Sequence, residues 1–298
     1  MKKFWKDIVV GIKGFLMGAA NVVPGVSGGT MALITGIYEE IIGALNSVME
    51  PATWKALIHG KFKEFWKAIH GRFLIALVIG VAASIFSLAK LIETQLAYHS
   101  IQVWAFFFGL IVASAVVMFI GIKDWKLRDI LMVIIGLALG VAVCTLSPTE
   151  TPDDLWFIFI CGAISICTMI LPGISGSFIL VIMSKYDYIM SAISELNIPV
   201  LVVFALGCAV GILAFAKFLH WLLARWQKQT MLVLLGFVLG SLVKVWPWAN
   251  TEAIFEAQLL RGDHADLIDM QIPSAIIWCI LGIGIIAVIE RISKKKHV

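Results

Sequence analysis

Apolar residues in this chain fall in long runs, as at 73–89 and 101–122, instead of recurring every third or fourth position. Runs of about 17 residues or more are long enough to cross a bilayer as helices. The pattern predicts six spanning helices, at about 73–90, 101–122, 130–146, 199–219, 231–246 and 273–290. Two regions break it. Residues 4–49 and 155–194 are each a pair of apolar arms joined by Pro-Gly-x-Ser-Gly, within "NVVPGVSGGTMAL" (21–33) and "MILPGISGSFILV" (169–181). The fold class is all-α integral membrane.

The two halves match. Pro24, Gly25, Ser27, Gly28, Tyr38 and Glu39 precede Pro172, Gly173, Ser175, Gly176, Tyr186 and Asp187 by 148 positions. Farther on, Gly109 and Ser114 precede Gly236 and Ser241 by 127, as Lys90 precedes Lys217. The first half thus carries about 21 extra residues, assigned to the charged stretch 54–72, "WKALIHGKFKEFWKAIHGR". The first repeat is 1–148, with hairpin 4–49, interfacial segment 54–72 and helices 73–146. The second is 149–298, with hairpin 155–194 and helices 199–290. Each is a re-entrant or broken helix hairpin plus three transmembrane helices. Three is odd, so the second repeat is inverted, an architecture of secondary transporters.

Composition agrees. Of 298 residues, 61% are hydrophobic and 14% charged, with mean hydropathy +0.99. Soluble domains run near 45–50% and 25%. The net charge of +4 is no nucleic-acid signature, because Lys and Arg collect at segment ends as topology signals do. With the N-terminus inside, 18 of them fall in cytoplasmic segments. Lys90, Lys185, Lys244 and Arg261 fall outside, with the acidic stretches 147–154 and 249–270. This predicts a multi-pass protein of the bacterial cytoplasmic membrane with both termini cytoplasmic. No cleavable signal peptide is expected, since Lys6, Asp7 and Lys13 interrupt the first apolar stretch. The five cysteines sit in apolar segments without a Cys-x-x-Cys pair and read as small buried hydrophobes. The six histidines have no ligand spacing, so neither metal nor cofactor is expected.

Irregular backbone inside a bilayer persists only where protein or a water-filled cavity satisfies it. A helix is expected to begin after each turn, near Thr30 and Ser177. Its first amides lack intrahelical partners and carry the positive end of the helix dipole. Ser27, Thr30, Ser175 and Ser177 add hydroxyl donors, and Gly28, Gly173 and Gly176 allow tight turns and close approach of a ligand. The result is an anion cradle without a buried cation. Inversion would bring two such cradles together near the midplane. The alternative is a pair of ordinary hairpins turning at the membrane surface.

The stretch "NVVPGVSGGTMALITGIYEEII" resembles the signature of the bacterial polyprenyl-phosphate transporter family, and the likeness runs over most of the chain. The resemblance implies transport of undecaprenyl phosphate, the lipid carrier of cell-wall synthesis, across the cytoplasmic membrane. It implies a functional core of Asn21, Pro24, Gly25, Ser27, Gly28, Gly29, Thr30, Tyr38 and Glu39. A fainter likeness is to integral-membrane undecaprenyl-pyrophosphate phosphatases, whose inverted repeats also carry Pro-Gly-x-Ser turns. Their motifs include an Arg directly after the second-repeat serine and glutamates before the first turn. Here Gly176 follows Ser175, and "MGAANVV" precedes Pro24. A phosphatase needs a cation for the leaving phosphate and an acid/base or nucleophile. The reading is therefore a transporter or flippase and not an enzyme, with a membrane phosphatase or a small-anion transporter as alternatives.

Other charges bear on the same reading. Glu39 and Asp187 lie 10 or more residues beyond the turns, about 15 Å along a helix. They are solvated helix ends or coupling carboxylates. Lys90 and Lys217 are snorkelling side chains or phosphate-capture groups at the two mouths. Segment 54–72, with Trp54, Phe62, Phe65 and Trp66 among five basic residues, is expected to lie on anionic lipid. Trp246 and Trp248 mark the opposite interface. The expected partners are a polyprenyl phosphate lipid and the bilayer, without nucleic acid; a homo-oligomer is left open.

Overall fold

The computed structural model describes residues 2–22, 27–262 and 269–294, and among these the chain is helical without a strand. Pro24 and Gly25 of the first motif lie outside the described residues.

The first hairpin is built from α1 (Lys2–Val22), α2 (Gly28–Ile34) and α3 (Tyr38–Val48). The charged stretch after it forms α4 (Pro51–Ile58) and α5 (Phe62–Ala68), which expose Trp54, Ile58, Phe62 and Trp66. Three long helices follow, α6 (Gly71–Tyr98), α7 (Ser100–Gly121) and α8 (Leu127–Cys144). The second hairpin is α9 (Leu155–Ile170), α10 (Gly176–Ile182) and α11 (Tyr186–Ser194). Then come α12 (Ile198–Val245), the short α13 (Thr251–Arg261) and α14 (Ile272–Lys294).

Helices α2 and α10 have 7 residues each, about 10 Å of rise, so neither can cross some 30 Å of hydrocarbon. Each ends at a corner set by a left-handed residue, Gly36 at φ 70° and Ser184 at φ 51°, 148 positions apart. Beyond its corner α10 meets α11 at 109°.

This is a multi-pass membrane architecture. Among the described residues, α6, α7, α8 and α12 are long and apolar enough to cross a membrane, or five spans if the bent pair α10–α11 counts as one. Helix α9 and the apolar part of α14, Ile272–Val288, are shorter. The expected spans 199–219 and 231–246 both lie within α12, which is two helices joined across a kink. Its 48 residues would rise about 72 Å, more than twice the hydrocarbon thickness. The helix is broken internally at Trp226, φ −138° and ψ 53°. Nearly the same dihedrals at His99, φ −135° and ψ 45°, separate α6 from α7 at the 127-residue spacing. The same break thus parts two helices in each half.

The chain packs as two compact units that do not follow the halves of the sequence. One comprises residues 1–85 and 146–231; the other comprises 86–145 and 232–298. In the first unit Gly14 and Gly80 seat α1 against α6. A Cβ on either would lie 2.3 Å from the Leu77 carbonyl oxygen or 2.0 Å from that of Gly11. Gly162 and Gly207 seat α9 against α12 in the same way, at 2.3 Å from the Phe204 oxygen and 2.1 Å from that of Phe159. These four residues lie 148 or 127 positions after the first four. The second unit repeats the device. Gly109 and Gly282 seat α7 on α14, while Gly136 and Gly236 seat α8 on α12, all with such distances between 2.0 and 2.2 Å. In a bilayer no hydrophobic force drives helices together, and small residues that let backbones approach supply the packing instead.

Candidate functional site

Ser27 and Ser175 close the two turns in extended backbone, at φ −103°, ψ 132° and φ −96°, ψ 142°. Both stand at the N-cap, so the helices begin at Gly28 and Gly176, earlier than Thr30 and Ser177. The glycines that follow each serine are helical and do not serve the turn's dihedrals. They serve close packing. A Cβ on Gly29 would lie 2.4 Å from the Ile170 carbonyl oxygen, and one on Gly176 would lie 2.7 Å from that of Ser165. Gly173 is the exception, since its φ of 96° is a conformation L side chains avoid.

The two turns touch. Ser27 Oγ donates to the Leu171 carbonyl at 2.9 Å and accepts from the Gly29 amide at 3.0 Å. The Gly173 amide donates to Thr30 Oγ1 at 2.7 Å. Asn21 reaches over from α1, its Oδ1 accepting from the Gly28 amide at 2.7 Å. Ser27 and Thr30 are each 1% exposed. Asn21, Ser27, Gly28, Gly29, Thr30 and Gly173 thus form one bonded body, continued by Ser175, Gly176 and Ser177. The Ser175 and Ser177 hydroxyls lie 2.6 Å apart, the first buried and the second exposed.

The turns are not equivalent. The first amides of α2 all have protein partners: Gly28 bonds Asn21, Gly29 bonds the Ser27 hydroxyl, and Thr30 bonds the Ser27 carbonyl at 3.0 Å. Ser175 makes no such side-chain cap on α10. At the far ends, Lys13 Nζ donates to the carbonyl of Thr35, the C-cap of α2, at 2.6 Å. A cation is favourable at a helix C-terminus. The end of α10 is closed by the Thr149 amide on the Ile182 carbonyl at 2.9 Å. Beside it the buried Lys185 donates to the Thr151 carbonyl and to Asp153 Oδ1, both at 2.7 Å.

Glu39 and Asp187 are exposed in the first turns of α3 and α11, where a carboxylate complements the dipole. The Gln227 amide also donates to Glu39 Oε1 at 2.8 Å. Lys90 and Lys217 are exposed on α6 and α12. Tyr38 is 2% exposed, and its hydroxyl has no hydrogen-bond partner. Among the described residues no three His, Cys, Asp or Glu converge as metal ligands do. The sequence reading missed Ile170 and Leu171, which take part through backbone carbonyls that no side-chain pattern marks. It also missed the role of Lys13, although a lone cation in an apolar arm was the available signal.

The family model described as undecaprenyl phosphate translocase-like matches residues 17–260, which include both turns. A Vibrio cholerae protein named polyprenyl-phosphate transporter is 42% identical over 243 residues, covering 80% of this chain and 78% of that protein. A Staphylococcus aureus protein of the same name is 32% identical over 274 residues, covering 85% and 90%. No solved structure matches the chain significantly.

Proposed function

This chain belongs to the undecaprenyl phosphate translocase-like family, and on that premise we propose that it moves undecaprenyl phosphate across the bacterial cytoplasmic membrane, recognising the phosphate at its two turns. The relatives are named as transporters, and the chain is not an enzyme. The observation that carries the proposal is the bonding of Ser27 to Leu171 and of Gly173 to Thr30, which makes one polar body from two motifs in an apolar chain. The isoprenoid tail stays in lipid throughout. Only the head group meets a barrier, on the order of ten kcal/mol or more for an ionised group before relaxation. Hydroxyls and amides held inside the protein lower it. The first turn is the scaffold, its donors being taken by the protein. The second, with Ser175, Gly176 and Ser177, meets the phosphate.

In this reading the halves are inverted repeats, which the paired glycines at 148 and 127 positions support, and both termini are cytoplasmic, which the Lys/Arg bias supports. Glu39 and Asp187 are the candidate coupling carboxylates. Native mass spectrometry of the purified protein tests the proposal. A bound C55 lipid phosphate is expected, and much less of it with Ser177→Ala. A protein that carries no lipid and binds inorganic phosphate alone would be a small-anion transporter instead.

Lys90 and Lys217 are the proposed capture groups at the outer and inner mouths. An ammonium is a compact point charge suited to transient contact with phosphate. In vesicles with sided access to labelled undecaprenyl phosphate, Lys90→Gln is expected to slow uptake from the outer leaflet severalfold. Lys217→Gln should do the same at the inner leaflet, and arginine at either position should be milder. Parent rates in both directions for both glutamine variants would reduce these lysines to snorkelling side chains.

A further inference from the structure

The start of α1, the first turn of α3, the end of α5 and the start of α6, all in the first unit, frame a groove open to the surface. Its apolar lining is Val10, Trp66 and Phe73. Val10 and Phe73 are buried, and the Trp66 ring lies against Gly71, where an added Cβ would come within 2.5 Å of the indole. Its charges are sorted. Arg72 is paired with Asp7. Glu40 stands in the first turn of α3, where a carboxylate complements the dipole. Lys6 and Lys67 are exposed, and among the described residues neither ammonium makes an ion pair or a hydrogen bond. Counting His70 as neutral, three cations face two carboxylates, an excess of one positive charge. Around the groove, α4 and α5 expose Trp54, Ile58, Phe62 and Trp66 beside Lys55, Lys63 and Lys67. That mixture marks an interfacial segment whose basic side chains attract anionic lipid. With the N-terminus inside, the groove faces the cytoplasmic leaflet.

We propose that this groove binds an anionic phospholipid of the phosphatidylglycerol class, with its phosphodiester on Lys6 and Lys67, a head-group hydroxyl on Glu40, and its acyl chains beside Trp66 and Phe73. The site shares no residue with the two turns and goes beyond the transport proposed above. Charge selects the occupant. A phosphodiester carries one negative charge, which balances the excess. A choline lipid brings no net charge and offers Glu40 no hydrogen-bond donor. A phosphate monoester brings about −1.5 to −2, more than the groove balances. A soluble phosphodiester would leave the apolar lining unused. A lipid held by Lys6 on α1 and Lys67 on α5 also bridges the interfacial segment to the first hairpin.

The full-length protein in detergent is titrated with dioctanoyl phosphatidylglycerol, and bound lipid is read by native mass spectrometry. A single phosphatidylglycerol is expected to bind about fivefold more tightly than dioctanoyl phosphatidylcholine. Lys6→Gln and Lys67→Gln should each raise the concentration for half occupancy about fivefold, the worth of one basic residue at an anionic lipid surface. Arginine at either position should restore it. Lys63→Gln, exposed on α5 but outside the groove, should change nothing. All three lysines are exposed, so melting without lipid should match the parent, while added phosphatidylglycerol should raise the melting temperature of the parent and of Lys63→Gln. Equal binding of phosphatidylcholine, parent affinity in both groove variants, or an equal loss in Lys63→Gln would overturn the site. Undecaprenyl phosphate is then added to the loaded protein. Both lipids bound at once would support a separate groove. Displacement of phosphatidylglycerol would give the groove to the transported lipid and overturn the proposal, leaving transport untouched.

Discussion

Replacing Gly29 by valine is expected to abolish transport of undecaprenyl phosphate and to destabilise the protein by about 3 kcal/mol or more. The obstacle to a side chain there is the Ile170 carbonyl oxygen, 2.4 Å from where a Cβ would stand. It is backbone at the end of α9, so no rotamer change makes room. Alanine already collides, and valine forces α2 away from the second turn, which breaks the Ser27 and Thr30 bonds with it. Gly43, inside α3, is the control, because a Cβ added there meets nothing within 4 Å. Alanine at that position is expected to stabilise by up to about 1 kcal/mol. Thermal unfolding in detergent and a sided transport assay give both readouts. Parent-like melting and transport by Gly29→Val would show that the turns do not meet.

The second large effect is expected from the hydroxyls that join the turns. Ser27→Ala removes the cap on α2, about 1 kcal/mol, and strands the Leu171 carbonyl, about 1–3 kcal/mol more. Thr30→Val leaves the Gly173 amide without its acceptor, at a similar cost. Both bonds hold the same two turns together, so the costs should not add. A double-mutant cycle on unfolding free energy is expected to give a coupling of at least about 0.5 kcal/mol. Strict additivity would mean that each hydroxyl serves only its own turn. Ser177→Ala provides the contrast. Its side chain is exposed, so melting should hold while lipid binding weakens.

The duplicated turns were legible because a Pro-Gly-x-Ser-Gly interruption has no purpose in a lipid-facing run, and twice over it marks a device. What the glycines do was not legible. Gly28 and Gly29 look like turn residues, but they are helical, and their constraint comes from an asparagine seven residues back and a carbonyl in the other motif. The division within α12 was legible for a different reason. The polar stretch around 220–230 parts two apolar runs, and two helices meet there at Trp226; Leu, Ala, Arg, Gln and Lys are good helix formers, so the junction is a kink and not a loop. The close helix contacts did leave a signal. Gly-x-x-x-Gly occurs at 14–18, 136–140, 207–211 and 236–240, and the spacing puts both small residues on one helix face.

The bond from Ser27 to Leu171 joins residues 144 positions apart. A ribosome making about 5–20 residues per second takes roughly 7–29 s to cover that distance. Through that interval the first hairpin is in the membrane with a polar turn whose acceptor has not been synthesised. Its short helix cannot settle on a surface that does not yet exist. Biogenesis therefore has an order: the first turn cannot complete its bonds until the second has been made. A chain stopped at residue 148 lacks the partners that Leu171 and Gly173 give to Ser27 and Thr30.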